Sequence, residues 1–133
     1  MAQPSIQTSI APWLTVNNAE TTASFYKQAF DAIETYRLEN PDGGLVLKLN
    51  IGNAELWLSS DENDPTNKNH TPVGNGSIRM ILTVQDPDTV FLKAVKAGAK
   101  EIFPVGEDYG WRLGRIEDPF GLHWEIGHQL SHH

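Results

Sequence analysis

Apolar and polar residues alternate with a period of two through a series of short stretches, and with a helical period in two longer ones. Ile10 to Val16 places Ile10, Pro12, Leu14 and Val16 on one side and Ala11, Trp13 and Thr15 on the other. Pro12 cannot donate a ladder hydrogen bond, so this strand is predicted at an edge or a sheet junction. Asn17-Asn18 offers a helix cap, and Ala19 to Phe30 puts Thr22, Phe25, Tyr26, Ala29 and Phe30 on one stripe. Ala32 to Leu38 and Leu45 to Ile51 read as strands joined by the turn Pro41-Asp42-Gly43-Gly44, and Ala54 to Ser59 follows after Gly52-Asn53. Residues 60–76 are Asp-, Asn-, Pro- and Gly-rich with almost nothing apolar, which predicts a long mobile linker in which His70 is solvated.

The second half repeats the order. Ile78 to Val84 is a strand, Asp86-Pro87 opens a helix with Val90, Phe91, Ala94 and Val95 buried, and Gly98 closes it. Lys100 to Val105 and Trp111 to Ile116 are strands separated by a polar turn over 106–110. Asp118-Pro119-Phe120-Gly121 is a turn: Pro119 presets φ, and Gly121 accepts a positive φ. It delivers a last strand with Leu122, Trp124 and Ile126 on the core face and His123, Glu125 and Gly127 on the other. The terminal His128-Gln129-Leu130-Ser131-His132-His133 run is expected to be flexible, and no metal is read into its histidines. The halves also match in register. Leu14-Thr15-Val16 recurs as Leu82-Thr83-Val84, an offset of 68 (82 less 14) that carries Glu125 onto Trp57 and His123 onto Glu55. An internal duplication is the economical reading.

Composition narrows the function classes. The 133 residues fit one domain that buries roughly two-thirds of its unfolded surface. A net charge of −7 argues against nucleic acid or an anionic membrane as partner. The absence of cysteine excludes disulfides, thiolate catalysis and Cys-based zinc sites. No apolar run approaches the roughly 20 residues of a membrane span, and the N-terminus lacks a signal peptide's regions, so a cytoplasmic protein is expected. No Ser/His/Asp arrangement, phosphate loop or nucleotide fingerprint is present.

Three stretches carry a family resemblance. They are Trp13-Leu14-Thr15-Val16-Asn17-Asn18 running into Ser24 to Phe30; Ala97-Gly98-Ala99; and Gly114 to Trp124 with its Asp-Pro-Phe-Gly turn. From about Ile10 to Gln129 the chain resembles the vicinal oxygen chelate superfamily of glyoxalase I, extradiol dioxygenases and bleomycin-resistance proteins, and most of all its PhnB-like group. The fold class expected is α+β. Two tandem βαβββ modules, at about 8–60 and 77–128, form a cupped mixed sheet with helices on the outer side. A homodimer is implied, as in relatives. Metal enzymes of the superfamily place ligands on the first and last strands of each module. Those positions here are Ala11, Trp57 (or Leu56, if the turn shifts register), Arg79 and Glu125, of which only Glu125 ligates a divalent cation. Arg79 would set a permanent positive charge at the metal position. No metal and no cofactor are therefore expected.

The inward faces collect Trp13, Glu55, Trp57, Arg79, His123 and Glu125, with Trp111 and Arg112 near the rim as gating candidates. Trp13 and Trp57 serve either as ligand walls or as core filling. Arg79 and Glu125 form either a structural ion pair or a substrate contact. His123 is a structural histidine or a base, and Trp124 belongs to the core. Two functions follow: a metal-independent small-molecule binding protein with an aromatic-walled pocket, or a glyoxalase- or dioxygenase-like lyase or isomerase using Glu125 as general base.

Overall fold

A computed structural model describes residues 9–41, 43–61 and 78–130. Module one comprises β1 (Trp13–Thr15), α1 (Ala19–Phe30), β2 (Ile33–Glu39), β3 (Gly44–Ile51) and β4 (Ala54–Asp61). Module two comprises β5 (Arg79–Thr83), α2 (Pro87–Lys96), β6 (Lys100–Asp108), β7 (Trp111–Glu117) and β8 (His123–Gln129). Each forms its own four-stranded mixed sheet, ordered β1-β4-β3-β2 and β5-β8-β7-β6. In each, the first strand lies parallel to the last and the remaining pairs are antiparallel. The ladders confirm the duplication residue by residue. Trp13 pairs with Trp57 and Ile81 with Glu125, so both partners are displaced by the same 68 positions.

Local chemistry sets the helix ends. Asn18 Oδ1 accepts the Thr21 N–H at 3.0 Å, and Asp86 Oδ1 accepts that of Thr89 at 3.2 Å with Pro87 opening α2. The predicted stripe of α1 is buried in full, and it packs on the Leu47, Leu49, Leu56 and Leu58 face of its sheet. Phe91 and Ala94 anchor α2 on β7 and β8. The helices thus cover one face of each sheet and leave the other open.

The modules are joined through α1, α2 and the β7–β8 turn. Asp118 is buried there: its Oδ1 accepts the backbone N–H groups of Phe120 and Leu122 at 3.0 Å each, and its Oδ2 accepts Tyr26 Oη–H at 2.7 Å and Trp124 Nε1–H at 2.9 Å. Rings close over this knot, with Phe30 4.6 Å and Tyr26 5.3 Å from Trp124 between centroids.

Some boundaries differ from the sequence reading. β1 is three residues long, because Pro12 has no N–H to offer and Ile10 stands in solvent. β6 runs to Asp108 instead of Val105, so the expected loop over 106–110 contracts to the two-residue turn Tyr109-Gly110. β4 extends to Asp61, and Ser60, assigned to the linker, is buried with its Oγ accepting the Ala19 N–H at 3.0 Å. The rest of the linker, with His70, and the last histidines, His132 and His133, lie outside the described residues.

Removing the Asp118 carboxylate leaves four donors without an acceptor. Asp118→Ala should destabilise by about 3–5 kcal/mol in urea unfolding, since each buried orphan costs about 1–3 kcal/mol and water re-enters part of the site. A loss under about 1 kcal/mol would show that the knot does not hold the modules.

Burial first, and the Asp118 charge second, push the Tyr26 hydroxyl well above its ordinary 10. Above that pH the unfolded tyrosine releases its proton while the native one keeps it. The native state then holds more protons, and stability falls as pH rises past 10. Tyr26→Phe should cost about 1–2 kcal/mol at pH 7 and flatten the alkaline loss, read by urea midpoints at both pH values.

Candidate functional site

On the open face of each sheet, pairing aligns side chains into rows. In module one the row is Trp13, Trp57, Lys48 and Tyr36. The two indoles stack with centroids 5.7 Å apart, Lys48 Nζ stands 5.2 Å from the Trp57 ring, and Tyr36 meets that ring edge-on at 5.6 Å. Trp13 Nε1–H donates to Ser59 Oγ at 2.9 Å, and Lys48 pairs with Glu55 at 3.2 Å. These are cation–π and aromatic contacts on a half-open surface.

The equivalent row of module two is Ile81, Glu125, Arg115 and Phe103. Glu125 Oε2 accepts Arg115 Nη2–H at 2.8 Å and lies 3.2 Å from Arg79 Nε. The Arg115 guanidinium in turn sits 5.1 Å from the Phe103 ring. His123 Nε2 is 3.7 Å from Glu117. A cation from the third strand thus rides on an aromatic ring of the fourth strand in module one and of the second strand in module two.

Beside this row lies a cavity of about 730 Å³. Ile81, Phe103, Trp111, Leu113 and Glu125 wall it, and the β6–β7 hairpin with Asp108 and Tyr109 forms its mouth. Gly127 also lines it, and the backbone approach dictates that residue. A Cβ there would fall 2.2 Å from the Arg112 carbonyl oxygen and 2.5 Å from Leu113 Cβ.

The structure separates the candidates into three sets. Trp13, Glu55 and Trp57 lie together on the module-one sheet, and Arg79, His123, Glu125 and Trp111 on the module-two sheet. No hydrogen bond, ion pair or ring contact links the two sets among the described residues. Arg112 belongs with neither. It faces α2 from the other side of β7, where it binds Asp88 at 2.6 and 2.9 Å and reaches Glu107 at 3.4 Å. Its hydrogen bonds, and its charge after them, hold the Asp88 carboxyl below the ordinary value. Leu56 is buried against the helices, so Trp57 is the inward residue. Sequence reasoning missed Arg115, Lys48, Tyr36, Phe103 and Tyr109. The signal for Arg115 was present: Asp118-Pro119-Phe120-Gly121 fixes the hairpin register, which sets residue 115 opposite 125.

The metal positions implied by the resemblance do not fit a divalent cation. Ala11, Trp57 and Arg79 offer no anionic or imidazole donor, and two guanidiniums already hold Glu125 Oε2. No group of three or more His, Asp or Glu side chains suited to a metal occurs among the described residues. Glu125 Oε1 has no hydrogen bond among them, which leaves one acceptor for a ligand.

Paired βαβββ modules with polar side chains on their last strands define the vicinal oxygen chelate class of fold. The chain belongs to the Glyoxalase/Bleomycin resistance protein/Dioxygenase superfamily, whose model matches residues 7–126. It is 36% identical over 128 residues to the uncharacterised protein Mb0911c of Mycobacterium bovis, covering 92% of this chain and 84% of that protein. In fold it is similar to glyoxalase I from Zea mays (TM-score 0.75, 15% identity, 91% of this chain), although it spans only 44% of the maize chain. It is similar also to the fosfomycin resistance protein FosX from Listeria monocytogenes (TM-score 0.73, 13% identity, 94% of this chain and 95% of that one). No helix among the described residues is long and apolar enough to cross a membrane.

Two double-mutant cycles separate the partners of Glu125. Arg115 and Glu125 are both largely shielded, so their coupling should be about 1–3 kcal/mol. Arg79 is half exposed, and its coupling to Glu125 should stay within about 1 kcal/mol. The reverse order, measured by urea unfolding of Arg115→Met, Arg79→Met and Glu125→Gln singly and in pairs, would make Arg79 the structural partner.

Proposed function

We propose that the protein binds a small organic molecule without a metal, in the manner of the bleomycin-resistance side of its superfamily, and that the ligand occupies the module-two cavity. One observation carries the reading. At the superfamily's ligand position on the last strand, Glu125 is held by Arg79 and Arg115 instead of standing open to a cation, and it lines an aromatic-walled hollow. Such a hollow provides apolar burial for a ligand body and a few fixed polar groups for orientation. Trp13, Tyr36, Ile81 and Phe103 expose apolar surface on the open faces of both sheets. Exposed apolar surface of this kind favours covering by a second copy of the chain, a homodimer, in a cytoplasmic setting.

The second reading is a lyase or isomerase with Glu125 as base, favoured by the one carboxylate oxygen left for a ligand. Under that reading Glu125→Gln abolishes turnover beyond any loss of stability.

A neutral naphthalene alcohol should quench tryptophan fluorescence saturably, and Trp111→Ala should weaken it about tenfold. Protein purified without chelator should carry no stoichiometric metal, and its sedimentation mass should be twice 14.8 kDa. One equivalent of nickel, zinc, iron or manganese that survives dialysis and is lost in Glu125→Ala would overturn the metal-free reading. A monomer would overturn the dimer.

A further inference from the structure

The turn between β6 and β7 holds Tyr109 at φ 51° and Gly110 at φ 82°, with Asp108 and Trp111 paired on either side. A two-residue turn of this geometry asks for Asn or Asp followed by Gly, because both central residues need positive φ. A bulky aromatic residue in that conformation is a strained choice. Packing within the chain does not recover the cost. Tyr109 is 94% exposed, and its side chain makes no hydrogen bond or ring contact among the described residues. Tyr109 nevertheless lines the 730 Å³ cavity.

The charges around that mouth indicate what the ring is for. Of the acidic residues lining the cavity, Glu125 is compensated by Arg79 and Arg115, and Glu107 turns to Arg112. Asp108 has no ion-pair partner among the described residues. Its Oδ1 accepts only the Tyr109 N–H, at 3.0 Å. Asp108 is flanked by Tyr109 and paired across the ladder with Trp111, and Phe103 lines the same cavity. A carboxylate among aromatic faces is the chemistry that recognises an ammonium group, through charge and ring quadrupole together. A chain of net charge −7 further favours the approach of a cation.

The geometry points to an organic cation as the ligand. Its ammonium group sits at Asp108 between the Tyr109 and Trp111 rings, and its apolar or aromatic body lies against Ile81, Phe103 and Leu113. Tyr109 is thereby a ligand-contacting residue kept at the mouth at the expense of the turn. This assignment rests on the reading of the cavity as the binding site.

Three probes that share a naphthalene body separate the two: 1-naphthylmethylammonium, 1-naphthalenemethanol and 1-naphthoate, titrated into the full chain by tryptophan fluorescence. The cation should bind about tenfold tighter than the alcohol, and added salt should narrow the gap. Asp108→Asn, which keeps the acceptor for the Tyr109 N–H, should reduce that preference to about twofold. Tyr109→Asn should weaken the cation about fivefold and raise the unfolding midpoint by about 2–4 °C. Equal or tighter binding of the alcohol or the naphthoate overturns the cation while leaving the cavity reading in place. A lowered midpoint in Tyr109→Asn overturns the strained turn. A lowered sedimentation mass in that variant places the ring at an interface between copies, and the proposal fails. If no probe binds, the cavity reading itself falls with it.

Discussion

The carboxylate of Asp118 is the point on which the two modules depend. A buried charge is tolerable only where its hydrogen-bonding capacity is filled. Here two backbone N–H groups fix the β7–β8 turn, the Trp124 indole ties that turn to β8, and the Tyr26 hydroxyl ties it to α1 of the other module. The same contact therefore sets the entry of β8, and with it the placement of Glu125, and the seating of α1. Because each sheet is a separate four-stranded unit, no inter-strand ladder joins the modules among the described residues. The helical layer and this knot do that instead.

How far the sequence was legible follows from what alternation encodes. Period-two patterning reports which face a residue occupies, and turn chemistry reports where a strand ends. Together they gave the order of elements, α1 in full, the core stripe and the Arg79–Glu125 pair. Face periodicity alone does not name the partner across a hairpin, and Arg115 went unseen although the Asp118–Gly121 turn sets it opposite Glu125, of which it is the closer partner. Nor do they separate a gating residue from a strut. Trp111 and Arg112 are adjacent in sequence, yet one lines the cavity and the other braces α2. The turn at Tyr109 escaped because Glu107, Asp108 and Tyr109 read as a polar loop. Only the ladder shows that Glu107 and Asp108 continue the strand.

The duplication also explains why one module carries the cavity and the other a platform. The ladders place Trp57 where the second copy has Glu125, Lys48 where it has Arg115, and Tyr36 where it has Phe103. Each copy sets a cation against an aromatic ring. What differs is the middle of the row. An indole at 57 fills the space above its own sheet and stacks on Trp13, whereas a carboxylate at 125 leaves room and recruits arginines from the strands on both sides.

That substitution bears on how poorly the row fits a divalent cation. A divalent cation needs several anionic or neutral donors converging from both modules, and a carboxylate in a guanidinium clamp is already satisfied. Freeing Glu125 for a metal would break two charged contacts and leave Arg115, whose Nε has no hydrogen-bond partner among the described residues, still less compensated in a shielded position. A divalent cation at these positions would therefore call for changes at Arg79 and Arg115 together, in addition to donors in place of Ala11 and Trp57. The clamp thus makes the module-two hollow a fixed wall with one acceptor oxygen available, which suits holding a ligand more than polarising one.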